Sequence, residues 1–303
     1  FDPSINHNRA LRWACRNGHF ETVQLLLGVV VINPGWSEMC ISLAAEFGHC
    51  EIVRLLLKDS RFDPQERDSA ALRLASQNGH DEAVRLLLDD MRSDPTIENN
   101  SPVRIASFRG HLKAVQALLG DSRVDPSSLD NFAIRAASQN GHLEVVTLLL
   151  ANPRVDPGIQ ANSSQPIRAA CQNGHIQIAK LLLSDARVNP MAEGGDCLHV
   201  ALQHKQVEVI QALLHNERVL FHPWEGLELL DFACDTEDIL TLVKSIIEHS
   251  SFTRGSATDY IPLIYSAARR SKIKLVEVLL TSSHVSEVVD PVYVASFKGD
   301  LPL

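Results

Sequence analysis

Alanine returns at near-constant intervals along all 303 residues: Ala14, Ala44, Ala75, Ala106, Ala137, Ala170, Ala201, Ala233, Ala267 and Ala295. The steps run from 28 to 34 residues, and 31 is the commonest. A fixed period in this range means one supersecondary unit copied many times. Such units stack, and each touches only its neighbours. The chain therefore reads as an array with one elongated core, and its function belongs to a surface.

One unit, Arg123 to Leu150, shows the grammar. Val124-Asp125-Pro126 is extended and then turns, because proline fixes its own φ and disfavours helix in the residue before it. Turn-forming residues follow, from Ser127 to Asn131. A first helix is expected over about Phe132–Asn140, burying Ile134, Ala137 and Ser138 at helical spacing. Gly141 stands where a helix needs a left-handed terminator. His142 opens a second helix, with Leu143, Val145, Val146 and Leu148–Leu150 as its apolar side. Asn-Gly-His recurs at residues 17–19, 78–80, 140–142 and 173–175, and a triple leucine at 25–27, 55–57, 86–88, 148–150 and 181–183.

These words resemble the ankyrin repeat, most clearly in Ser101-Pro102-Val103-Arg104-Ile105-Ala106 followed by Gly110-His111. The resemblance covers the chain in about ten units. It implies an all-α solenoid of stacked helix-turn-helix units with short finger loops, forming a single domain over residues 1–303. Units over 1–215 are regular and those over 216–303 degenerate; decay begins in the seventh unit, where Lys205 takes the glycine slot, as Ser271 does later. The usual finger-tip glycine gives way to residues such as Asp68, Asn99 and Asp130; Asn and Asp tolerate a left-handed backbone. Phe1-Asp2-Pro3 repeats Phe62-Asp63-Pro64, so both ends read as truncated.

Five repeats place arginine where the family has a histidine on the first helix: Arg12, Arg73, Arg104, Arg135 and Arg168. The same five carry aspartate before the turn proline: Asp2, Asp63, Asp94, Asp125 and Asp156. Where that aspartate becomes Asn33 or Asn189, the partner becomes Ser42 or His199. The covariation predicts a carboxylate–guanidinium pair tying each finger to its own first helix. An arginine ladder for an acidic partner is the competing reading.

Net charge is −9 with no basic cluster, which argues against nucleic acid and against an anionic membrane surface. No apolar run is long enough for membrane insertion. The recurrent histidines cannot share a zinc across helices packed about 8–10 Å apart, so turn and helix-start roles are expected for them. Cysteines at small apolar slots read as structural thiols, pointing to an intracellular, cytoplasmic setting. No catalytic or nucleotide-binding signature occurs, and neither cofactor nor metal is expected.

The resemblance implies a non-enzymatic protein–protein interaction scaffold, monomeric or a subunit of a larger assembly. The alternative is the recognition module of a larger protein such as a ubiquitin-ligase adaptor, enzyme or channel. It also implies a concave groove lined by finger tips and first helices. Groove candidates two residues before the glycine include Glu46, Gln77, Phe108, Gln139, Gln172 and Gln203. At the tips the candidates are Trp36 and Trp224, tryptophan being enriched among binding hot spots.

Overall fold

The computed structural model describes residues 5–29, 34–158, 165–191 and 197–219, together with 229, 232, 245, 246 and 276. Among the described residues every regular element is a helix. First helices are α1 (Ile5–Arg16), α3 (Pro34–Glu46), α5 (Glu66–Asn78), α7 (Ile97–Arg109), α9 (Ser128–Gln139), α11 (Pro166–Gln172) and α13 (Cys197–Gln203). Second helices are α2 (Phe20–Val29), α4 (Cys50–Leu57), α6 (Asp81–Asp89), α8 (Leu112–Leu119), α10 (Leu143–Leu150), α12 (Ile176–Ser184) and α14 (Val207–Leu214).

The chain divides into two compact units, Phe1–Ala169 and Ala170–Leu303. In the first, α1, α3, α5, α7 and α9 stack in order, and α2, α4, α6, α8 and α10 form a parallel stack behind them. In the second, α14 packs on α12 and α13.

The recurrent alanine sits where first helices meet. Ala44, Ala75, Ala106, Ala137, Ala170 and Ala201 are wholly buried. The carbonyl of this alanine also accepts the N–H that closes the helix, from His49 to Ala44 at 2.8 Å, His80 to Ala75 at 3.0 Å and His111 to Ala106 at 3.0 Å. The intervening glycine makes this closure possible, with φ near +75° at Gly48 and Gly79. Lys205 adopts the same left-handed conformation in place of glycine.

Second helices bury their inner faces at the 31-residue period, as Val53, Val84, Val115 and Val146 and as Leu56, Leu87, Leu118 and Leu149. Burial of each such leucine is worth roughly 1.5–3 kcal/mol. Within the triple leucine of α10 only Leu149 is buried; Leu148 and Leu150 are half-buried.

Regular helix in α9 starts later than its first residue. Leu129, Asp130 and Asn131 form a left-handed turn, with φ of 51°, 55° and 56°. Glu98, Asn99 and Asn100 do the same in α7. The short finger is this turn, and the asparagines and aspartate suit it. Its last side chain points inward to the following repeat: Asp125 N–H donates to Asn100 Oδ1 at 2.7 Å, and Asp156 N–H to Asn131 Oδ1 at 2.8 Å. Ser69 Oγ plays the same part for Asp94 N–H at 3.2 Å.

Candidate functional site

The expected Asp–Arg tie is replaced by two others. Asp94 Oδ1 accepts the N–H and hydroxyl of Thr96, and Asp125 Oδ1 accepts those of Ser127. Asp63 and Asp156 likewise cap the N–H two residues on, of Gln65 and Gly158. These carboxylates close their own turns. Arg104 reaches the finger instead through carbonyls, donating from Nε to Asn99 at 2.9 Å and from Nη2 to Glu98 at 2.8 Å. Arg135 donates to Leu129 O at 3.4 Å. The left-handed turn aims these carbonyls back at the helix, so arginine ties finger to helix without the aspartate. Arg12 donates to Met39 Sδ, while Arg73 and Arg168 make no ion pair with Asp63 or Asp156 among the described residues. Asp2 lies outside the described residues.

The ion pair that does form joins residues two apart and sits just before four of the turns. Arg61, Arg92, Arg123 and Arg187 grip Asp59, Asp90, Asp121 and Asp185, each with Nη2–Oδ2 at 2.6 Å. Hydrogen bonding from arginine holds these four carboxyls below the usual carboxylate range, against the opposing effect of partial burial. The rest of the guanidinium stitches repeats together. Arg92 donates to Phe62 O at 3.1 Å and Leu57 O at 2.9 Å, and Arg123 to Ser93 O at 2.9 Å. In the second unit Arg218 donates to Val188 O and Leu183 O. The signal was present as a recurring Asp/Asn-x-Arg, including Asn152-Pro153-Arg154 and Asn216-Glu217-Arg218.

The histidines do open the second helices, yet their rings work between repeats. Nε2 of His49, His80, His111 and His142 meets the carbonyl of Arg16, Glu46, Gln77 and Phe108, at 2.9–3.0 Å. Three of the acceptors, Glu46, Gln77 and Phe108, are groove positions singled out above. Each contributes its backbone to the joint, which leaves its side chain open to variation. Among the described residues no group of three histidines, cysteines or carboxylates could hold a metal ion. Cys15 and Cys40 are fully buried, and hydrogen bonding to Cys40, with burial, pushes the Cys15 thiol well above its usual value.

Phe108 is exposed, at 43%. Gln139, Gln172 and Gln203 are exposed, and Glu46 and Gln77 half-buried. Gln203 Nε2 contacts the His199 ring at 2.8 Å. Trp36 lies in α3, but its side chain, like all of Trp224, falls outside the described residues. One row was not anticipated. In the first four repeats the residue before the recurrent alanine faces outward beside the groove positions: Trp13 is 56% exposed, and Leu43, Leu74 and Ile105 are half-exposed, whereas Ala136 and Val200 in the same slot are buried. Phe47, 41% exposed, adds to it.

Arginines lie on the aromatic rings of this face. The guanidinium carbon of Arg16 stands 5.2 Å from the Phe47 ring centroid, and that of Arg109 5.8 Å from Phe108. Arg104 and Arg135 flank Phe132 at 5.2 and 5.8 Å. Burial lowers the Arg104 affinity for its proton, and nearby Glu98 partly offsets that.

Among the described residues no helix is long and apolar enough to cross a membrane. A family model described as "Ankyrin repeats (3 copies)" matches residues 41–130 and 133–222, and one described as "Ankyrin repeat" matches 6–34. No curated protein matches. Among solved structures, the ankyrin repeat domain of human ASB11 is similar in fold, with TM-score 0.56 and 20% identity over 67% of this chain and 96% of that one. Ankyrin repeats are in general protein–protein interaction modules, typically without enzymatic activity. A family match across more than half the chain, laid on repeats with this helix pair and left-handed glycine, makes the protein a member of the ankyrin repeat family.

Proposed function

We propose that this chain is a non-enzymatic scaffold that holds a partner protein on the first-helix face of the unit Phe1–Ala169. The observation that carries the reading is the row of outward apolar side chains, Trp13, Leu43, Leu74 and Ile105, flanked by exposed Phe47 and Phe108. A clustered apolar patch marks an interaction site more often than a scattered one does. Phe108 is the expected anchor. The buried thiols Cys15, Cys40 and Cys197 fit a reducing compartment such as the cytoplasm.

Site-specific cross-linking tests this. A photo-reactive benzoylphenylalanine at Gln77 is expected to form an adduct with a protein from the source cell. The same group at Glu144, on a second helix, is expected to form none. Phe108→Ala should weaken capture about tenfold, the scale of a single hot spot. Equal capture from both positions would remove the reading.

A further inference from the structure

The charge on the first-helix face differs from that of the whole chain. In the repeats of Ala14 to Ala137, the two positions before the recurrent alanine and the second and third after it hold six arginines: Arg12, Arg16, Arg73, Arg104, Arg109 and Arg135. The same positions hold one carboxylate, Glu46, on a chain of net charge −9. Among the described side chains two finger-tip carboxylates, Glu98 and Asp130, border the face on one side, and Asp68 holds the same slot in the sequence.

None of the six arginines has a carboxylate within ion-pair distance among the described residues. The ion pairs lie elsewhere: on second helices, as Arg54–Glu82 and Arg85–Asp81, and in the turns, as Arg123–Asp121. Among the described residues the back arginines Arg54 and Arg85 are thus paired, while of the six front arginines Arg104 alone feels a nearby carboxylate, Glu98, beyond ion-pair distance. The front arginines are also held in place. Arg16, Arg104, Arg109 and Arg135 lie over aromatic rings. Among the described residues Arg16 and Arg109 keep their guanidinium donors open, while Arg104 and Arg135 spend donors on finger carbonyls and keep Nη1; a carboxylate is the acceptor this fork suits best.

We infer that the first-helix face of Phe1–Ala169 takes an extended acidic segment of a partner protein, with carboxylates recurring every third residue between apolar side chains. The inference rests on the docking face proposed above and names its partner class. Charge complementarity sets the sign, and the apolar row sets what lies between the charges. The spacing follows from geometry. Stacked helices repeat at about 8–10 Å, and a segment in the extended polyproline II conformation advances about 3.1 Å per residue with three residues per turn. Three residues therefore span one repeat, which brings successive carboxylates to Arg73, Arg104 and Arg135. The side chains between them then meet Leu74 and Ile105.

The probe is a fluorescein-labelled peptide of five Glu-Leu-Thr repeats, read by anisotropy against the full chain. Counterparts with glutamine or lysine in place of glutamate are the controls. The acidic peptide is expected to bind, and to lose at least fivefold in affinity between 50 and 300 mM salt. Arg16→Glu and Arg109→Glu should each weaken it at least fivefold, and Ile105→Ser likewise. Lys113→Glu, on exposed α8 and equal in charge change, should leave it unchanged. Thermal melts of each variant separate lost binding from lost folding. Equal binding of the glutamine peptide, or an equal effect of Lys113→Glu, would overturn the inference. So would failure of the acidic peptide to bind. Competition separates this outcome from failure of the docking face itself. If a partner cross-linked from Gln77 is displaced by the glutamine or lysine peptide and not by the acidic one, the face stands and the acidic class falls.

Discussion

Arg123 shows how much one side chain does here. It grips Asp121 through Nε and Nη2, and Nη1 reaches Ser93 O in the preceding repeat. Lysine cannot reproduce that fork. Arg123→Lys should lower stability by about 1–2 kcal/mol, read by chemical denaturation. Asp121→Asn should cost less, because Asn152 and Asn216 already fill the equivalent slot. The pH dependence follows from the lowered carboxyls of Asp59, Asp90, Asp121 and Asp185. A carboxyl depressed in the folded state stabilises at pH above its unfolded value, about 3.9. That stability is lost as pH falls through the depressed value. Tm should therefore hold from pH 7 to 5 and decline below about 4, less steeply in Asp121→Asn. Buried hydroxyls point the other way. Ser76, Ser107 and Ser138 are fully buried and their Oγ atoms lack a partner, whereas Ala45 fills the same slot in another repeat. The triple Ser→Ala variant should be more stable than the parent, by about 1 kcal/mol or more; a lower Tm would contradict this.

At the scale of the element, the glycine after each first helix answers to two constraints at once. Gly79 has φ +75°, and a Cβ built there would stand 2.6 Å from His111 Nδ1 of the next repeat. Gly79→Ala should cost about 2 kcal/mol or more, from backbone strain and collision together. Adding His111→Ala should recover only the collision, so a double-mutant cycle would show coupling between the two sites. The helix pair and its terminator could be read from Asn-Gly-His and the triple leucine, because those features depend on periodicity and local backbone preference. The Asp–Arg tie could not. Asp94 and Arg104 recur together since both belong to regular repeats, and recurrence alone does not say which atoms meet. The left-handed turn at Glu98–Asn100 decides that, by presenting carbonyls to Arg104 and leaving Asp94 to its own turn. The outward row headed by Trp13 was equally hidden, since Leu43, Leu74 and Ile105 look like core residues until the helix they sit on is oriented.

Taken as a whole, the stack of Phe1–Ala169 is held by joints of uniform construction. The joints recur: Arg92 reaches carbonyls 30 and 35 residues back, Arg123 and Arg154 one 30 back, His80, His111 and His142 one 34 back, and Ser69, Asn100 and Asn131 accept an N–H 25 residues on. Deleting one whole period, residues 94–124, leaves every remaining joint in register. Such a variant should stay helical by circular dichroism and melt cooperatively at a lower Tm. A deletion three residues shorter should not. The same joints also set how the chain yields under load. Among the described residues these joints run only between immediate neighbours, so a pull on the two ends should peel the stack one layer at a time. Each release would free one 31-residue period, about 11 nm of contour at 3.6 Å per residue. In that sense the arginine and histidine latches make the array a spring with countable steps.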